Sequence, residues 1–489
     1  MAEEKKKKIF NSESAHALVS ELRKTFNTGK TKSYEWRVSQ LKNLQKLIEE
    51  HEKEIIEALQ TDLAKPEAEI HVGEIGMLKS SLKTTLKQLR NWMMPEKVKT
   101  SMTTFPSSAE ILPEPLGVTL VISPWNYPIL LSIDPMIGAI AAGNVVVLKP
   151  SEVAPASSSF LAKYLGEYMD SSAIRVVEGA VPETIALLEQ KWDKIFYTGS
   201  GRIGRIVMSA AAKHLTPVVL ELGGKCPVIV DSDINLQVAT RRIIGGKWAC
   251  NNGQACVSAD YIITTKEFAP KLIGSLKHEI EACFGTNPIE SKDIARIINS
   301  NHFDRLSKLL DDEKVSGKIV YGGKRDKSCL RIAPTILLDV PEDSLIMNEE
   351  IFGPLLPILM VDKIEDSFAL VTSKEKPLAA YLFTNKNKLK DEFVSTISAG
   401  ATVINEVTIH LAVHTLPFGG VGESGTGSYH GKFSFDAFSH KKAVLYRSFA
   451  GDASVRYPPY SNGKVRMLKA LINGSILGII LALFKLSKD

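Results

Sequence analysis

One cysteine of this chain stands in a setting that suits a nucleophile. Cys256 ends the segment 251–256 (NNGQAC), a glycine-bearing loop between a predicted helix and a predicted strand. A cysteine on such a loop is well placed to be exposed and reactive. Cys250 is either structural, which we favour, or a redox partner of Cys256, and the spacing of the two matches no zinc site. Most cysteines are small buried apolar residues, and that role is expected for the others, Cys226, Cys283 and Cys329.

Two polar side chains follow predicted strands and could assist a nucleophile. Glu221 ends a strand and precedes Gly223 and Gly224. Its carboxylate therefore points into the crevice where α/β sheets bind ligands, which makes it a candidate general base. Asn126, in the segment 123–128 (SPWNYP), could stabilise a developing oxyanion with its side-chain amide. The alternative for Asn126 is a hydrogen-bonding residue in a proline-bracketed turn.

Other segments have the composition of ligand-binding turns. Residues 196–204 (FYTGSGRIG) predict a strand, a glycine-rich turn and a helix start, an arrangement that binds phosphate, although it comes late in its lobe. Lys149 and Glu152 follow another strand and could bind ribose hydroxyls, or form a solvated charge pair. The segments 348–354 (NEEIFGP) and 416–431 (LPFGGVGESGTGSYHG) complete the set.

The elements that must position these residues alternate between strand and helix patterns. From Leu116 to Glu221 the sequence repeats a β-α-β-α rhythm, which predicts a parallel sheet covered on both faces. The rhythm restarts after Gly223-Gly224, so we predict two α/β lobes with a boundary near Gly223. Amphipathic helices are expected over 34–60 and 67–92, followed by a loop or short ribbon at 100–108.

Composition excludes several classes of protein. The chain has 489 residues, of which 44% are hydrophobic and 24% charged, which excludes wholesale disorder, collagen and a polytopic membrane protein. A net charge of +5 gives no reason to expect nucleic-acid binding. Five cysteines, an odd and small number, exclude a disulfide scaffold and favour a reducing compartment.

The two ends of the chain differ in character. The start, Met1–Lys8, is charged and lacks the apolar region of a secretory signal, so we expect a solvated terminus. Residues 470–484 form an almost uncharged run flanked by lysines and arginine, shorter than the roughly 20 residues of a bilayer span. This run is either a membrane-associated tail or a helix packed on protein.

Taken in order, the seven segments resemble the aldehyde dehydrogenases, and specifically the family 3 branch that acts on fatty and aromatic aldehydes. The plant members look most similar, given residues 246–256 (GKWACNNGQAC) and 428–440 (SYHGKFSFDAFSH), and the resemblance runs from about residue 15 to 450. It implies that Cys256 attacks the aldehyde to give a thiohemiacetal, whose oxyanion Asn126 and the Cys256 N–H stabilise. Hydride transfer then leaves a thioester, and Glu221 activates the water that hydrolyses it.

The resemblance also implies a dinucleotide site and no metal site. Lys149 and Glu152 would bind the adenosine ribose, the turn from Gly199 to Gly204 would support the pyrophosphate, and Glu350 would bind the nicotinamide ribose with Phe352 packed beside it. A carboxylate at Glu152 repels a 2′-phosphate, so we favour NAD, with NADP as a second cofactor. The full set of predicted cofactor contacts is Trp125, Lys149, Glu152, Gly199, Ser200, Gly204, Leu222, Glu350 and Phe352.

The domain organisation follows from the same resemblance. We expect a Rossmann-like NAD-binding domain (10–222), an α/β catalytic domain (223–415), and a return to the cofactor domain and a β oligomerisation ribbon (416–450, with 95–110 contributing). A C-terminal tail (451–489) would complete the chain. Family members of this pattern are homodimers, in which each ribbon extends the partner's sheet.

The implied activity is oxidation of a small-molecule aldehyde of medium or long chain, which suits detoxification of lipid-peroxidation products under stress. The expected location is the cytoplasm, with the tail as a candidate attachment to the endoplasmic reticulum or another membrane. The alternatives are a non-catalytic structural protein and a membrane-surface protein on the same fold. CoA-dependent chemistry is disfavoured because the hydrolytic base, Glu221, is present.

Overall fold

The structure is a computed structural model that describes residues 10–101, 104, 106–450 and 452–486. The expectation for Met1–Lys8 falls outside these residues. The helices are α1 Ser12–Asn27, α2 Tyr34–Glu50, α3 Glu52–Leu63, α4 Glu67–Ile70, α5 Met77–Met93, α6 Leu130–Ala142, α7 Pro155–Tyr168, α8 Val181–Leu188, α9 Gly201–Ala212, α10 Leu236–Lys247, α11 Ala269–Phe284, α12 Ser300–Asp311, α13 Leu345–Asn348, α14 Asp366–Thr372, α15 Asn387–Thr396, α16 Gly431–Ala437, α17 Asn462–Ile472 and α18 Ile476–Leu486. A π-helical turn, His71–Gly76, joins α4 to α5.

The strands belong to separate sheets. They are β1 Glu96–Val98, β2 Ser107–Pro115, β3 Val118–Ile122, β4 Val145–Lys149, β5 Ile174–Val176, β6 Lys194–Thr198, β7 Val218–Glu221, β8 Pro227–Val230, β9 Tyr261–Thr265, β10 Ile319–Tyr321, β11 Arg325–Asp326, β12 Arg331–Ile332, β13 Thr335–Leu338, β14 Leu355–Val361, β15 Ala379–Phe383, β16 Ala401–Ile404, β17 Gly425–Thr426 and β18 Ser439–Arg447. The predicted α/β class is confirmed.

The first large sheet has six strands in the order β17-β7-β6-β3-β4-β5. Only β17 runs antiparallel, and the register places Leu120 of β3 beside Val147 of β4 and Ile195 of β6. Strands β3, β4 and β6 are buried along their whole length, as expected of a parallel sheet with helices on both faces. Their carboxyl ends carry the polar residues singled out above.

The second large sheet has seven strands in the order β10-β13-β14-β9-β8-β15-β16, with β10 alone antiparallel. Its apolar face packs with α12, α14 and α15 in one cluster that includes Phe303, Phe368 and Phe393. The chain leaves the first sheet after Glu221 and enters the second at Pro227, as the change of pattern at Gly223-Gly224 indicates. The predicted domain bounds themselves remain predictions.

A smaller unit comprises residues 90–114 and 439–489. Its three-stranded ribbon has the order β1-β2-β18, with β1 antiparallel to β2, and its helices α17 and α18 pack against each other. Among the described residues, no helix combines the length and the apolar character that a bilayer crossing requires.

Two expectations from the pattern were wrong. The helix predicted over 34–60 is interrupted at His51, whose backbone (φ −116°, ψ 28°) departs from helical geometry, so α2 ends at Glu50 and α3 begins at Glu52. Cys283 and Cys329 are exposed rather than buried. Cys283 lies outside the buried stripe of α11, and Cys329 lies in the turn between β11 and β12, where neither thiol meets the core.

Candidate active site

The loop that carries Cys256 adopts a conformation that its sequence specifies residue by residue. Asn251, Asn252 and Gly253 all have positive φ (51°, 51° and 78°), the region that glycine and asparagine tolerate best. A Cβ on Gly253 would collide with the carbonyl oxygen of Gly353. The loop can therefore approach the backbone at Gly353 closely only because position 253 is glycine.

Gln254 fixes this loop from below. Its Nε2 donates to the carbonyl oxygens of Asn251 (3.0 Å) and Arg296 (2.9 Å), and its Oε1 accepts from the N–H of Ile298 (3.1 Å). The amide is fully buried, so these bonds are made without competition from water. They orient the next turn of chain, and with it Cys256.

Cys256 is half-buried, and its surroundings disfavour the thiolate form of its side chain. Burial raises its pKa well above the ordinary value, and the nearby carboxylates of Glu350 and Glu221 add to the shift. A thiol with a raised pKa is protonated at neutral pH, so a nucleophilic role requires a base to remove its proton.

Asn126 lies beside this loop, in the turn that follows β3. Its Nδ2 donates to the carbonyl oxygen of Gln254 (3.1 Å). The backbone carbonyl oxygen of Asn126 accepts from Asn251 Nδ2 (2.9 Å) and from Lys65 Nζ (3.1 Å). An amide nitrogen carries two hydrogens, so the second N–H of Asn126 remains available to another acceptor.

Glu221 ends β7 and is buried, yet both of its carboxyl oxygens lack a hydrogen-bond partner among the described residues. Oγ1 of Thr198 likewise lacks a hydrogen-bond partner among the described residues. Thr198 ends β6 and lies opposite Glu221 in the register of β6 and β7. Burial raises the pKa of Glu221 well above its usual range. Buried polar groups normally have hydrogen-bond partners, so we expect the side chains of Glu221 and Thr198 to bind water or a ligand.

The predicted ribose and phosphate residues follow the ends of β4 and β6, the two strands that flank β3. Lys149, buried at the end of β4, forms a 2.7 Å ion pair with the exposed Glu152. Gly199 and Ser200 join β6 to α9, so the free N–H groups at the start of this helix lie at the same edge of the sheet. A Cβ on Gly204 would come within 2.7 Å of Leu222, which shows how tightly α9 packs on the end of β7.

Glu350 reaches this region from the second lobe. Its Oε1 accepts from the N–H of Gly224 (3.2 Å), and a Cβ on Gly223 would collide with the carboxylate. Burial raises the pKa of Glu350 to about 8, and Asp260 adds to the shift. Glycine at position 223 is thus what permits Glu350 to lie against the backbone that follows Glu221.

Two aromatic rings close the site near Glu350. The ring of Phe352 lies 5.3 Å from that of Trp125 in an edge-to-face arrangement, and His302 packs 4.8 Å from the same indole. Phe352 has a φ of 50°, unusual for an aromatic residue, so its position is imposed by the surrounding structure. Trp125 and Phe352 are both half-buried.

A cavity of about 530 Å³ opens beside Cys256. Its wall is mainly apolar, and the polar exceptions include Glu69, Asp134, His414 and His430. Burial raises the pKa of Glu69 to about 7, which its bond to the N–H of Asn251 opposes. An elongated apolar compound would fit such a space better than a compact polar one.

Several residues that surround the site were not predicted from the sequence. Lys65 and Glu74 contact the turn of Asn126, and Glu69 contacts the loop of Cys256. They come from residues 65–74, far upstream in the sequence, and nothing in their spacing distinguishes them from ordinary charged residues. Only the loop of Cys256 offered a local signal in the sequence, because the two asparagines before Gly253 tolerate positive φ.

The chain is similar to known proteins along most of its length. The family model described as "Aldehyde dehydrogenase family" matches residues 6–444. "Aldehyde dehydrogenase family 3 member H1" of Arabidopsis thaliana is 68% identical over 98% of this chain and 99% of its own. The rat protein "Aldehyde dehydrogenase, dimeric NADP-preferring" is 46% identical over 90% of this chain and 97% of its own. A solved structure, "Substrate bound state of Staphylococcus Aureus AldH", superposes with a TM-score of 0.90 at 42% identity, covering 93% of this chain and 99% of that one.

Proposed function

This chain belongs to the aldehyde dehydrogenase family, and we propose that it oxidises medium- to long-chain aldehydes to carboxylic acids through a covalent bond to Cys256. Aldehyde oxidation with NAD or NADP is the activity of the family. The observation that carries the finer proposal is the apolar cavity of about 530 Å³ whose wall includes Cys256. An alkyl chain in that cavity buries apolar area while its aldehyde group meets the thiol.

The first step is attack by the Cys256 sulfur on the aldehyde carbon. Because burial keeps this thiol protonated at neutral pH, its proton must leave as the S–C bond forms. Glu221 is the acceptor we propose, since its carboxyl oxygens have no other partner among the described residues. Its raised pKa makes it a stronger base than an exposed glutamate.

The oxyanion that forms needs donors that are already in place. We assign the free N–H of Asn126 and the backbone N–H of Cys256 to this role. Asn126 is held by its bonds to Gln254, Asn251 and Lys65, so it needs little reorganisation when charge develops. Loss of one such donor typically raises the barrier by about 3–4 kcal/mol.

The dinucleotide, when bound, supplies the hydride acceptor. The residues present fit it, because a Lys–Glu pair, an open helix start and the buried Glu350 carboxylate lie at one edge of the first sheet. We propose that Lys149 and Glu152 bind the adenosine ribose, and that Glu350 binds the nicotinamide ribose with Trp125 and Phe352 beside it. The carboxylate of Glu152 favours NAD, because it repels a 2′-phosphate.

The remaining step is hydrolysis of the thioester on Cys256. Glu221 first releases to solvent the proton that it took from Cys256. It then removes a proton from the attacking water, the C–S bond breaks, and that proton passes to the sulfur as the carboxylic acid leaves. The buried and unpartnered position of Glu221 supports this role, because a water molecule would satisfy both its oxygens.

At the level of the whole protein, we propose a homodimer and a tail that contacts membranes from the cytoplasmic side. The ribbon of β1, β2 and β18 offers a sheet edge to a partner. The tail exposes Ile476, Leu477 and Leu481 on α18, and Lys469 precedes them on α17. Exposed apolar groups beside basic ones suit the surface of an anionic bilayer.

The test is NADH formation by the purified chain with straight-chain aldehydes from short to long. We expect kcat/KM to rise with chain length, and Cys256→Ala to abolish turnover while leaving NAD binding intact. NADP in place of NAD tests the cofactor preference. A folded protein that binds NAD and oxidises no aldehyde would refute the enzymatic proposal, and turnover independent of chain length would refute the substrate class.

A further inference from the structure

A completely buried ion pair lies behind the candidate oxyanion site. Lys65, in the loop between α3 and α4, and Glu74, in the π-helical turn, have fully buried side chains and are 2.6 Å apart. Helical turns of this kind occur frequently at functional sites. Neither residue touches the predicted cofactor contacts or Cys256 in any hydrogen bond of the described residues.

Every polar atom of this pair is occupied. Lys65 Nζ donates to Glu74 and to the carbonyl oxygen of Asn126, and it lies 3.9 Å from the ring centre of Tyr127. The second oxygen of Glu74 accepts from the N–H groups of Ile129 and Leu130, at 3.1 Å each. The pair therefore holds the chain on both sides of the turn that begins at Asn126, and it binds the otherwise open start of α6.

Stability alone does not explain such a pair. Removing two charges from water costs several kcal/mol per ion, by rough estimate, and well-packed apolar residues of similar volume are often as stable. The charged side chains add directional hydrogen bonds, because a methionine or leucine cannot form a hydrogen bond with a carbonyl oxygen or a helix N–H. The backbone groups held by these hydrogen bonds belong to the turn that carries Asn126.

We propose that Lys65 and Glu74 act as a positioning pair that holds the Asn126 amide where the oxyanion of the reaction forms. The inference rests on the proposed function of Asn126. Without the pair, Asn126 keeps its bonds to Asn251 and Gln254 but loses the restraint on its backbone. The chemical step then slows by roughly 10- to 100-fold, less than for complete loss of a donor, whereas NAD affinity stays unchanged.

The experiment separates positioning from stability with two variants. Lys65→Met leaves Glu74 as an unpaired buried group and lowers the unfolding temperature. The double variant Lys65→Met/Glu74→Gln removes both charges, so stability returns, and the side-chain amide oxygen introduced at position 74 can still accept from α6. If stability recovers and the rate does not, the pair positions Asn126; if both recover together, the proposal is wrong.

The rate is measured in single turnovers with NAD saturating and enzyme in excess of aldehyde. At saturating enzyme the rate constant reports the chemistry and does not depend on the folded fraction, which the unfolding curve reports, so a merely structural defect changes the unfolding curve alone. Lys79→Met is the matched control, because Lys79 forms a partly exposed ion pair with Glu52 on neighbouring helices, and it should change neither quantity. Glu74→Asp, which keeps the charge but shortens its reach, should slow the reaction even if the other variants fail to fold.

Asn126→Ala distinguishes the positioning role of Lys65 and Glu74 from the proposed oxyanion role of Asn126. If Asn126→Ala reacts at the wild-type rate, the oxyanion role itself fails. If Asn126→Ala is slow but Glu74→Asp and the double variant are as fast as the wild type, only the positioning role fails.

Discussion

Cys256 and Glu221 are both acids that must act as anions, although Cys256 is half-buried and Glu221 is buried. Burial raises the pKa of each, and the Glu350 carboxylate raises that of Cys256 further. A raised pKa means that each group loses its proton only as the pH increases. The ionised forms that the chemistry needs are therefore scarce in acid and more abundant in alkali.

We accordingly expect kcat/KM for an aldehyde to increase from mildly acidic to alkaline pH, as measured in initial-rate assays with NAD saturating. Glu221→Gln should lower kcat by roughly 10²- to 10⁴-fold because the variant cannot take up a proton. Glu281→Gln, an exposed change on α11, is the control and should leave kcat unchanged. A Glu221→Gln enzyme with wild-type kcat would remove Glu221 from the mechanism.

Cofactor choice is also a matter of one residue. Glu152 is exposed at its carboxylate end and pairs with the buried Lys149. Two like charges about 4 Å apart near a surface repel by roughly 1–4 kcal/mol. Glu152→Gln should therefore raise kcat/KM for NADP by about 10-fold or more, measured against NAD in the same assay.

The control for cofactor choice is Glu189→Gln, which removes the same charge from an exposed position after α8. It should leave the NADP-to-NAD ratio unchanged. An unchanged ratio in Glu152→Gln as well would mean that this carboxylate does not face the 2′ position.

At the scale of elements, the catalytic loop depends on one backbone conformation. Gly253 combines a φ of 78° with contact against the Gly353 carbonyl. Gly253→Ala should displace the loop, because the added Cβ is strained by φ and blocked by the neighbour. We expect a lower unfolding temperature and a kcat reduced by roughly 10-fold or more, since small misplacements of catalytic groups are costly.

Gly274 of α11 provides the matched comparison. It lies within a helix and an added Cβ would meet nothing within 4 Å. Gly274→Ala should stabilise the protein by about 0.5–1 kcal/mol in a denaturation experiment, because alanine favours the helix. Equal effects of the two substitutions would contradict the account of the loop.

At the scale of the whole molecule, the tail is the feature whose partner matters most. Exposed apolar side chains of α18 beside basic residues of α17 favour a bilayer surface, and salt should weaken the electrostatic part of that attraction. The full chain should sediment with vesicles that contain phosphatidylserine, and less so at high salt.

Leu477→Glu/Leu481→Glu should abolish this sedimentation, because both side chains are exposed on one face of α18. Turnover of a short, water-soluble aldehyde should be unchanged in the same variant. Val394→Glu, an exposed apolar position on α15, is the control and should sediment like the wild type. Retained sedimentation of the double variant would exclude α18 as the contact.

Much of this protein follows from local sequence alone. The predicted alternation of strands and helices from Leu116 to Glu221 and its restart after Gly223-Gly224 are both present in the structure, because apolar runs and glycine ends are local signals. The ordered motifs also predicted the family, which the comparisons confirm. Glu221 and Cys256 could be named because each sits at the end of a strand or on a glycine loop.

What the sequence could not determine is what reaches the site from elsewhere in the chain. The pairing of Lys65 with Glu74, the contact of Glu350 with Gly224 and the exposure of Cys329 depend on which surfaces meet. Burial, and therefore every pKa shift discussed above, is a property of the folded surroundings and not of a motif. Local pattern decides which elements form and which residues can react, and tertiary packing decides which of them meet and in which protonation state.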